Sequence, residues 1–150
     1  MTQAADSQKP VIFAVDDEQA NLDVVIRTLN RGYDVRAFTS PTEALTAARA
    51  TPPAMMIVDH RMPDMTGVQL VRQLRSAGVE CATLMLTAFP ELLEVVDAER
   101  EKLFFQVIPK PWKPEDLLCQ VDLALKSFRL SRAIGRLGKM MGDRPDSKKP

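Results

Sequence analysis

Polar side chains stand at the carboxyl ends of four short apolar runs in this chain. They are three carboxylates, one hydroxyl and one amine, namely Asp16, Asp17, Asp59, Thr87 and Lys110. Crowded carboxylates repel one another and raise one another's pKa unless a cation neutralises them. Oxygen ligands suit a hard divalent ion, and Mg2+ fits because it keeps several waters and takes one or two carboxylates. A metal ion and a lysine together balance the charge of a phosphoryl group, so the set predicts phosphoryl chemistry.

Asp59 is the candidate nucleophile of this set. It ends the apolar run at 55–58, and the chain then turns within residues 63–67. A buried strand of a parallel sheet would deliver this acid to the carboxyl edge, where ligands of such sheets bind. Carboxylates are established acceptors of phosphoryl groups. Taken singly, Asp59 could also be a turn residue, Thr87 a helix cap and Lys110 a solvated charge.

The elements that must position these groups alternate along the chain. Apolar runs predict strands at 11–15, 34–38, 55–59, 82–86 and about 105–109. Apolar residues at helical spacing predict helices at 18–29, from Pro41 to the Pro52-Pro53 stop, at 66–77, at 90–101 and from Pro114 onward. This regular alternation predicts an α/β fold with a five-stranded parallel sheet and helices on both faces. The strand ending at Phe38 delivers no polar group, so we expect it at an edge.

Length and composition are those of one ordinary domain. The chain has 150 residues, of which 45% are hydrophobic and 27% charged. No apolar run approaches the roughly 20 residues that cross a bilayer, and the first ten residues are too polar for a signal peptide. We therefore expect a cytoplasmic protein without a membrane span. Cys81 and Cys119 have neither metal-ligand spacing nor disulfide density, which predicts two reduced, partly buried thiols.

The formal charge of zero conceals an asymmetry between the body and the C-terminal segment. From Arg129 onward, seven basic residues stand against two acids, so the preceding part is net acidic. An acidic body gives no support for direct nucleic-acid binding. The basic segment leaves a contact with an acidic partner open, and its plainer interpretation is a solvated helix face followed by a disordered end.

The strand-end residues occur in the order and context of a known family. From about residue 10 to 128 the chain resembles the receiver domain of bacterial two-component response regulators. The matching motifs are Asp16-Asp17, Asp59 with Met62-Pro63 and Gly67 behind it, Thr87-Ala88, and Lys110-Pro111. Each motif is weak alone, but together and in order they are highly specific.

The resemblance implies a fold and a role for each residue. The fold is a flavodoxin-like three-layer sandwich with strand order 2-1-3-4-5. Asp59 would accept a phosphoryl group from a phosphohistidine of a partner histidine kinase or phosphotransfer protein. Mg2+ would be held by Asp17, Asp59 and the backbone carbonyl of Arg61, with Asp16 acting through water. The residues implied to contact or sense the phosphoryl group are Thr87, Ala88 and Lys110, and the peptide bond between Lys110 and Pro111 is implied to be cis.

Other residues near these motifs have plainer expected roles. His60 is the single histidine and lacks a partner at metal-ligand spacing, so we expect it to point away from the site. Trp112 is expected to be a packing anchor or a surface contact. Val107 stands where many receivers carry a Tyr or Phe that turns inward on activation. Phe104 and Phe105 lie close by, and both side chains are expected to pack in the core.

The turn before the last strand, at 99–106, lacks the small Gly-Ala pair of many relatives. The surface made by the fourth helix and the fifth strand is therefore expected to be reshaped. Because that surface commonly mediates dimerisation or output contacts, the family resemblance leaves the mode of signalling open.

The C-terminal stretch carries a short heptad-like pattern. Its apolar members alternate in steps of four and three if Ser127 fills one position, and they are Leu123, Leu130, Ile134, Leu137 and Met141. This pattern predicts an extended last helix that could pair with a second chain. Gly135 and Gly138 each cost about 1 kcal/mol relative to Ala, so the helix is expected to reach roughly Gly135 and to fray toward Gly142.

The expected organisation is a flexible start at 1–9, a receiver domain at 10–128, a basic helical extension at 129–141 and a disordered tail or linker at 142–150. The predicted function is a phosphorylatable switch that assists its own phosphoryl transfer and dephosphorylation without being an enzyme in the ordinary sense. A phosphatase or phosphotransferase with an aspartyl nucleophile is disfavoured, because haloacid-dehalogenase-like enzymes need Asp-x-Asp where this chain has Asp16-Asp17-Glu18. A receiver-shaped module that signals without phosphorylation is the remaining alternative. The complete acidic site counts against it, whereas Val107 keeps it open.

Overall fold

Five strands and five helices alternate along the chain, as the apolar periodicity predicts. The computed structural model describes residues 8–142. The strands are β1 (Val11–Val15), β2 (Asp34–Phe38), β3 (Met55–Asp59), β4 (Ala82–Thr87) and β5 (Gln106–Pro109). The helices are α1 (Gln19–Leu29), α2 (Pro41–Ala50), α3 (Gly67–Ser76), α4 (Leu93–Arg100) and α5 (Pro114–Gly142).

The strands form one parallel sheet in the order β2-β1-β3-β4-β5. The predicted flavodoxin-like strand order is confirmed, and β2 is an edge strand. In this order β1 and β3 are neighbours, and the register pairs Val15 with Val58. Asp16 and Asp59 directly follow these paired residues, so the topology itself brings the two acids side by side.

The core has two layers, one on each face of the sheet. Alternate residues of β1 show the division, since Phe13 and Val15 join one buried cluster while Ile12 and Ala14 join the other. Successive side chains of a strand point to opposite faces, so a strand with both faces covered is apolar throughout. This is why the central strands appear in the sequence as continuous apolar runs rather than as alternating ones.

Side-chain caps fix where two helices begin. The Ser40 hydroxyl accepts a hydrogen bond from the Glu43 N–H at the start of α2, and Pro41 occupies the first helical position. At α3 the Thr66 hydroxyl accepts from the Gln69 N–H, while the Gln69 side chain accepts from the Thr66 N–H. This capping box fixes the end of the loop that follows the phosphoacceptor candidate.

Two helix boundaries differ from the predicted ones. Helix α4 begins at Leu93 rather than at Pro90, because residues 88–92 form a turn in which the Leu92 N–H donates to the Phe89 carbonyl. Helix α5 runs unbroken to Gly142, so the predicted end near Gly135 is wrong. A helical glycine loses conformational entropy but meets no steric obstacle, and strong helix formers surround both glycines of this segment.

The two halves of α5 have different surroundings. In the first half Leu117, Val121 and Ala124 are buried against the sheet. Beyond Phe128, every residue from 129 to 141 is exposed. The described residues include all of the predicted basic extension at 129–141, whereas positions 1–7 and 143–150 of the predicted flexible ends lie outside the described part of the chain.

Two side chains depart from their expected burial. Cys81 is buried, but Cys119 is exposed because it lies on the side of α5 opposite the stripe that packs on the sheet. Phe104 is in the core as expected, whereas Phe105 is 41% exposed and the expectation of core packing is wrong for it. Burial raises the pKa of the Cys81 thiol to about 11, which keeps it protonated.

Candidate functional site

The carboxyl edge of the sheet brings the predicted acids together. Asp16 follows β1 and is buried, Asp17 is exposed beside it, and Asp59 is the last residue of β3. Ligand oxygens of these three carboxylates lie within 4.8 Å of one another. Oxygen atoms at such separations can share one small cation, and carboxylate donors select a hard one. The donor set therefore fits Mg2+.

Lys110 enters the same edge from the end of β5. Its Nζ lies 3.1 Å from Oδ1 of Asp59 and 3.4 Å from Oδ2 of Asp16. All three side chains are largely buried, with 23%, 13% and 9% exposure for Lys110, Asp59 and Asp16. The lysine thus spans the two acids and supplies the positive charge that their burial requires.

The pKa values of Asp59 and Lys110 are both raised, which disfavours the charged form of the acid and favours the charged form of the lysine. Burial raises the pKa of Asp59, with Asp16 adding to the rise and Lys110 opposing it. Burial lowers the pKa of Lys110, but Asp59 and Asp16 raise it more, so its net shift is upward. The difference arises because two carboxylates together outweigh burial at Lys110, whereas burial and Asp16 together outweigh the one lysine at Asp59. The site accordingly has excess negative charge and favours an additional cation.

Asp16 is held in place by the chain that follows it. Its Oδ1 accepts a hydrogen bond of 2.9 Å from the Glu18 N–H, and its Oδ2 accepts one of 3.1 Å from the Asn21 side chain. The Asn21 amide also donates to the Glu18 carboxylate. Asn21 therefore positions Asp16, and the sequence analysis did not identify it. Its place in the first turn of the helix that follows the acidic pair could have indicated this contact.

Gly67 is required by a close approach of two backbone segments. A Cβ at this position would lie 2.5 Å from the Asp59 carbonyl oxygen and 3.1 Å from the Val58 side chain. The Gly67 N–H also donates a 2.9 Å hydrogen bond to the His60 carbonyl. Glycine therefore lets the start of α3 pack directly on the end of β3, which fixes the loop that contains Arg61.

Thr87 and Ala88 stand at the end of β4, next to β3. Thr87 is 1% exposed, and its Oγ accepts a 3.0 Å hydrogen bond from the Phe89 N–H, whereas Ala88 is exposed. The register pairs Asp59 with Leu86, so Thr87 lies one residue beyond the level of the acid. The hydroxyl is at the correct edge of the sheet, and in this state it is engaged with its own loop.

The peptide bond between Lys110 and Pro111 is cis. The next residue, Trp112, is partly buried and packs against the core cluster between the sheet and helices α1 and α5. It is therefore a packing residue at the border of the site, in line with its expected role.

His60 and Arg61 point their side chains away from the acidic cluster. The His60 ring is 2% exposed, and its Nε2 lies 3.2 Å from Oε1 of Glu94. The Arg61 guanidinium lies over the Phe89 ring, 4.3 Å from its centroid. No local sequence pattern predicts these two contacts, because both join segments more than 25 residues apart. Val107, at the position that is aromatic in many receivers, is buried in the core.

A cleft also lies at the opposite edge of the sheet from the acidic cluster. Its volume is about 910 Å³, and it is lined by the beginning of β4, the turn before β5 and the middle of α5. Its charged residues are of both signs and include Arg75, Glu80, Glu99 and Lys102. No cluster of converging acids lines it, so the carboxyl edge is the better candidate site.

Comparison with known proteins decides the family. The family model of the response regulator receiver domain matches residues 12–122. The chain belongs to the response regulator receiver domain family. Receiver domains are the signalling domains of two-component systems and interact with histidine kinases. The match begins at the second residue of β1 and covers the other four strands in full, together with the residues of the acidic edge.

Curated relatives agree with this assignment. The chain is 34% identical over 136 residues to the response regulator MprA of Mycobacterium leprae, covering 88% of this chain and 58% of the relative. It is 29% identical over 130 residues to the hydrogenase transcriptional regulatory protein HoxA of Cupriavidus necator, covering 87% and 27% respectively. The chain therefore spans about a quarter to just over half of the relatives it matches.

Solved structures share the fold. The receiver domain protein of Methanospirillum hungatei, described as CheY-like, superposes with a TM-score of 0.76 at 25% identity, covering 83% of this chain and 99% of that one. A structure described as adenylate cyclase from Rhodopirellula baltica superposes with a TM-score of 0.80 at 27% identity, covering 87% and 98%. Among residues 8–142, no helix is long and apolar enough to span a membrane.

Proposed function

We propose that this domain accepts a phosphoryl group on Asp59 from a phosphohistidine of a partner histidine kinase or phosphotransfer protein. In this step a carboxylate oxygen of Asp59 forms a bond to phosphorus while the phosphorus–nitrogen bond breaks. The imidazole leaves with the bonding electrons and regains its neutral form by taking up a proton. The product is an aspartyl phosphate, which water later hydrolyses to return Asp59 and inorganic phosphate.

The observation that carries this proposal is the position of Asp59 between two acids and one lysine. Lys110, 3.1 Å from Asp59, is placed to pair with a phosphoryl oxygen once that oxygen is attached. The buried Thr87 hydroxyl at the next strand end is the proposed donor to a second oxygen, and Ala88 the proposed neighbour that lines the same space. The chain thus offers a nucleophile, a cation and a donor on three neighbouring strands.

The proposed metal ligands are the carboxylates of Asp17 and Asp59 and the backbone carbonyl of Arg61, with Asp16 acting through water. Mg2+ bound there would neutralise the charge that builds up on the phosphoryl oxygens. The chain's own contribution is to keep Asp16 fixed through Asn21 and to keep Lys110 protonated, so that the site is organised before the donor arrives.

The experiment is intact-mass measurement after incubation with acetyl phosphate and Mg2+. The wild type is expected to gain one phosphoryl group, and Asp59→Asn is expected to gain none. Asp64→Asn is a matched control, because Asp64 is an exposed acid of the same loop that lies outside the carboxylate cluster. An unmodified wild type would contradict the proposal, and a gain retained in Asp59→Asn would move the acceptor elsewhere.

A receiver that signals without phosphorylation is the second candidate. The buried Val107 favours it, since no aromatic ring is available at that position to follow a phosphorylated state. The same mass measurement separates the two, and turnover of excess phosphodonor into free phosphate would instead indicate a phosphatase.

We propose that the partner of α5 is a second copy of this chain. The surface concerned, the α5 seam, comprises Leu123, Ser127, Leu130, Ile134, Leu137 and Met141. Its apolar members are 47% to 61% exposed, which leaves an apolar stripe uncovered. In a coiled-coil pairing the positions beside this seam beyond Phe128 are uncharged, namely Ser131, Ala133, Gly138 and Met140.

The basic residues of the extension lie on the outer side of α5 in this register. They are Arg129, Arg132, Arg136 and Lys139. Two copies can therefore pair along the seam without facing like charges, whereas an acidic partner would bind the outer side. A dimer through α4 and β5 is the alternative outcome of the dimer test given below. We place the protein in the cytoplasm, where phosphodonor kinases present their histidines.

A further inference from the structure

The two residues that follow Asp59 both contact the segment that follows β4. The His60 ring reaches Glu94 in the first turn of α4, with 3.2 Å between Nε2 and Oε1. The Arg61 guanidinium lies 4.3 Å from the centroid of the Phe89 ring. We call these two pairs the clasp. It joins the loop after the phosphoacceptor candidate to the loop and helix after Thr87.

The His60 ring has a defined orientation. It is 2% exposed, and its Nδ1 has no hydrogen-bond partner in the described part of the chain. The Glu94 carboxylate therefore faces Nε2, the ring nitrogen that has a polar neighbour. A buried ring with this one polar side-chain neighbour favours keeping the carboxylate beside it, because losing the contact would leave both ring nitrogens without a polar partner.

Helix α4 depends on this contact more than the other helices would. Its first residue follows Leu92, which provides no side-chain cap, and its buried residues are Val95 and Ala98. A short helix with a small apolar face and an uncapped start opens easily. The polar contact between His60 and Glu94 therefore joins the first turn of α4 to the end of β3.

Phe89 connects the clasp to the hydroxyl of Thr87. The Phe89 N–H donates to Thr87 Oγ, while the Phe89 ring lies under the Arg61 guanidinium. If the Thr87 hydroxyl turns to an oxygen of a phosphoryl group on Asp59, this N–H loses its acceptor and the loop must rearrange. The same rearrangement would move Phe89 away from Arg61 and shift the first turn of α4.

We propose that His60 and Arg61 are positioning residues whose clasp to Glu94 and Phe89 holds α4 in the unphosphorylated arrangement and is released when Asp59 is phosphorylated. This inference rests on the proposed function. It gives the domain a connection from the acceptor to α4 that needs no aromatic residue at Val107. A contact present in one of two states favours that state, so removing it must favour the other by the same factor.

The test measures the rate of Asp59 phosphorylation by acetyl phosphate in Glu94→Ala. Loss of this partly buried polar contact is expected to raise the rate about three- to tenfold. Amide hydrogen exchange at 93–98 should also become faster in the unphosphorylated variant, because the first turn of α4 loses its anchor. Glu94 is 46% exposed, so its truncation is compatible with folding, which a thermal melt verifies.

Two matched variants separate the clasp from general effects on α4. Glu94→Gln keeps a side-chain oxygen in reach of His60 Nε2 and is expected to stay within about twofold of the wild-type rate. Glu99→Ala removes an exposed acid from the same helix and is expected to leave both measurements unchanged. Phe89→Leu keeps an apolar side chain without the ring and should raise the rate in the same direction as Glu94→Ala.

Equal rates for Glu94→Ala and the wild type would overturn the clasp, even if exchange at α4 became faster. Equal rates for Glu94→Gln and Glu94→Ala would also overturn it, since the charge of the helix and not the contact with His60 would then be responsible. A wild type that gains no phosphoryl group would instead overturn the proposed function and this inference together. The failures are therefore distinguishable by the wild-type mass alone.

Discussion

The carboxyl edge of the sheet and the projecting half of α5 depart from ordinary burial in opposite directions. At the edge, the charged side chains of Asp16, Asp59 and Lys110 are largely buried. On the projecting half, Leu130 and Ile134 are 61% and 59% exposed. Buried charges cost free energy unless they are paired, and exposed apolar side chains forgo the gain of burial.

The two regions differ in how far the chain itself compensates for this cost. The edge contains its own partial compensation in Lys110, and a small cation would complete it. The projecting helix has no compensating surface among the described residues, because the residues from 129 to 141 are all exposed. The first region therefore contains part of its own compensation, whereas the second leaves an apolar stripe uncovered, which the proposed second copy would cover.

Removing the Lys110 side chain would leave the buried acids Asp16 and Asp59 without their positive partner, and this change has the largest expected effect. Lys110→Ala should lower the rate of phosphorylation by acetyl phosphate about 100-fold or more, because it removes the fixed positive charge nearest the acceptor. Intact mass followed over time measures the rate. Lys113→Ala, which removes an exposed lysine three residues later, should remain near the wild-type rate. A similar loss in both variants would contradict the assigned role of Lys110.

Placing a polar residue in the α5 seam would weaken the proposed dimer, which would cover the exposed apolar side chains of the projecting helix. Ile134→Asn should weaken self-association about 10- to 100-fold, since two isoleucines lose their burial in each dimer. Sedimentation equilibrium over a range of concentrations measures the constant. Lys139→Asn introduces the same residue on the outer side of the helix and should leave association unchanged. A wild type that is monomeric throughout, or a dimer insensitive to Ile134→Asn, would exclude the seam as the interface.

Replacing the Asp59 carboxylate with a neutral amide tests how completely Lys110 compensates the buried acid. The measured quantity is the free energy of unfolding, and the expected effect is the smallest of the three. The folded-state pKa of Asp59 is raised above its unfolded value, chiefly by burial. The folded protein therefore loses stability as the pH rises through that pKa, and the loss is complete above it. Asp59→Asn should match the wild type in acid and be more stable near neutral pH, on the order of 1 kcal/mol.

Urea unfolding with EDTA at a series of pH values measures this difference. Added Mg2+ should reduce it, because the wild type alone retains the full set of carboxylate ligands. An Asp59→Asn variant that is less stable than the wild type at neutral pH would show that the acid is fully compensated by Lys110.

Much of the fold was predictable because its signals are local. Short apolar runs, the Pro41 helix start and the Thr66 to Gln69 capping pair each depend on neighbouring residues, and the strand bounds accordingly lie within a residue of prediction. The acidic edge was predictable for a related reason, since parallel topology converts strand ends that are distant in sequence into neighbours.

The features that were not predictable depend on contacts between distant segments. The start of α4 at Leu93 follows from the turn that Thr87 and Phe89 stabilise, which overrides the preference of Pro90 for a first helical position. The contact between His60 and Glu94 joins two segments, and neither segment's own sequence indicates that the other lies beside it. The persistence of α5 past Gly135 depends on neighbours with high helix propensity, whose summed effect exceeds one glycine penalty.

The unbroken path of α5 also has a mechanical consequence. Its exposed part, from 129 to 141, extends about 20 Å beyond the last residue that packs on the sheet, at 1.5 Å per residue. A helix without a break transmits a change of direction along its whole length as a lever does. A tilt of roughly 10° at Phe128 would displace the far end by about 3 Å, the scale of one side-chain contact. Small adjustments of the domain can thereby become displacements large enough to change how two copies, or a following segment, are aligned.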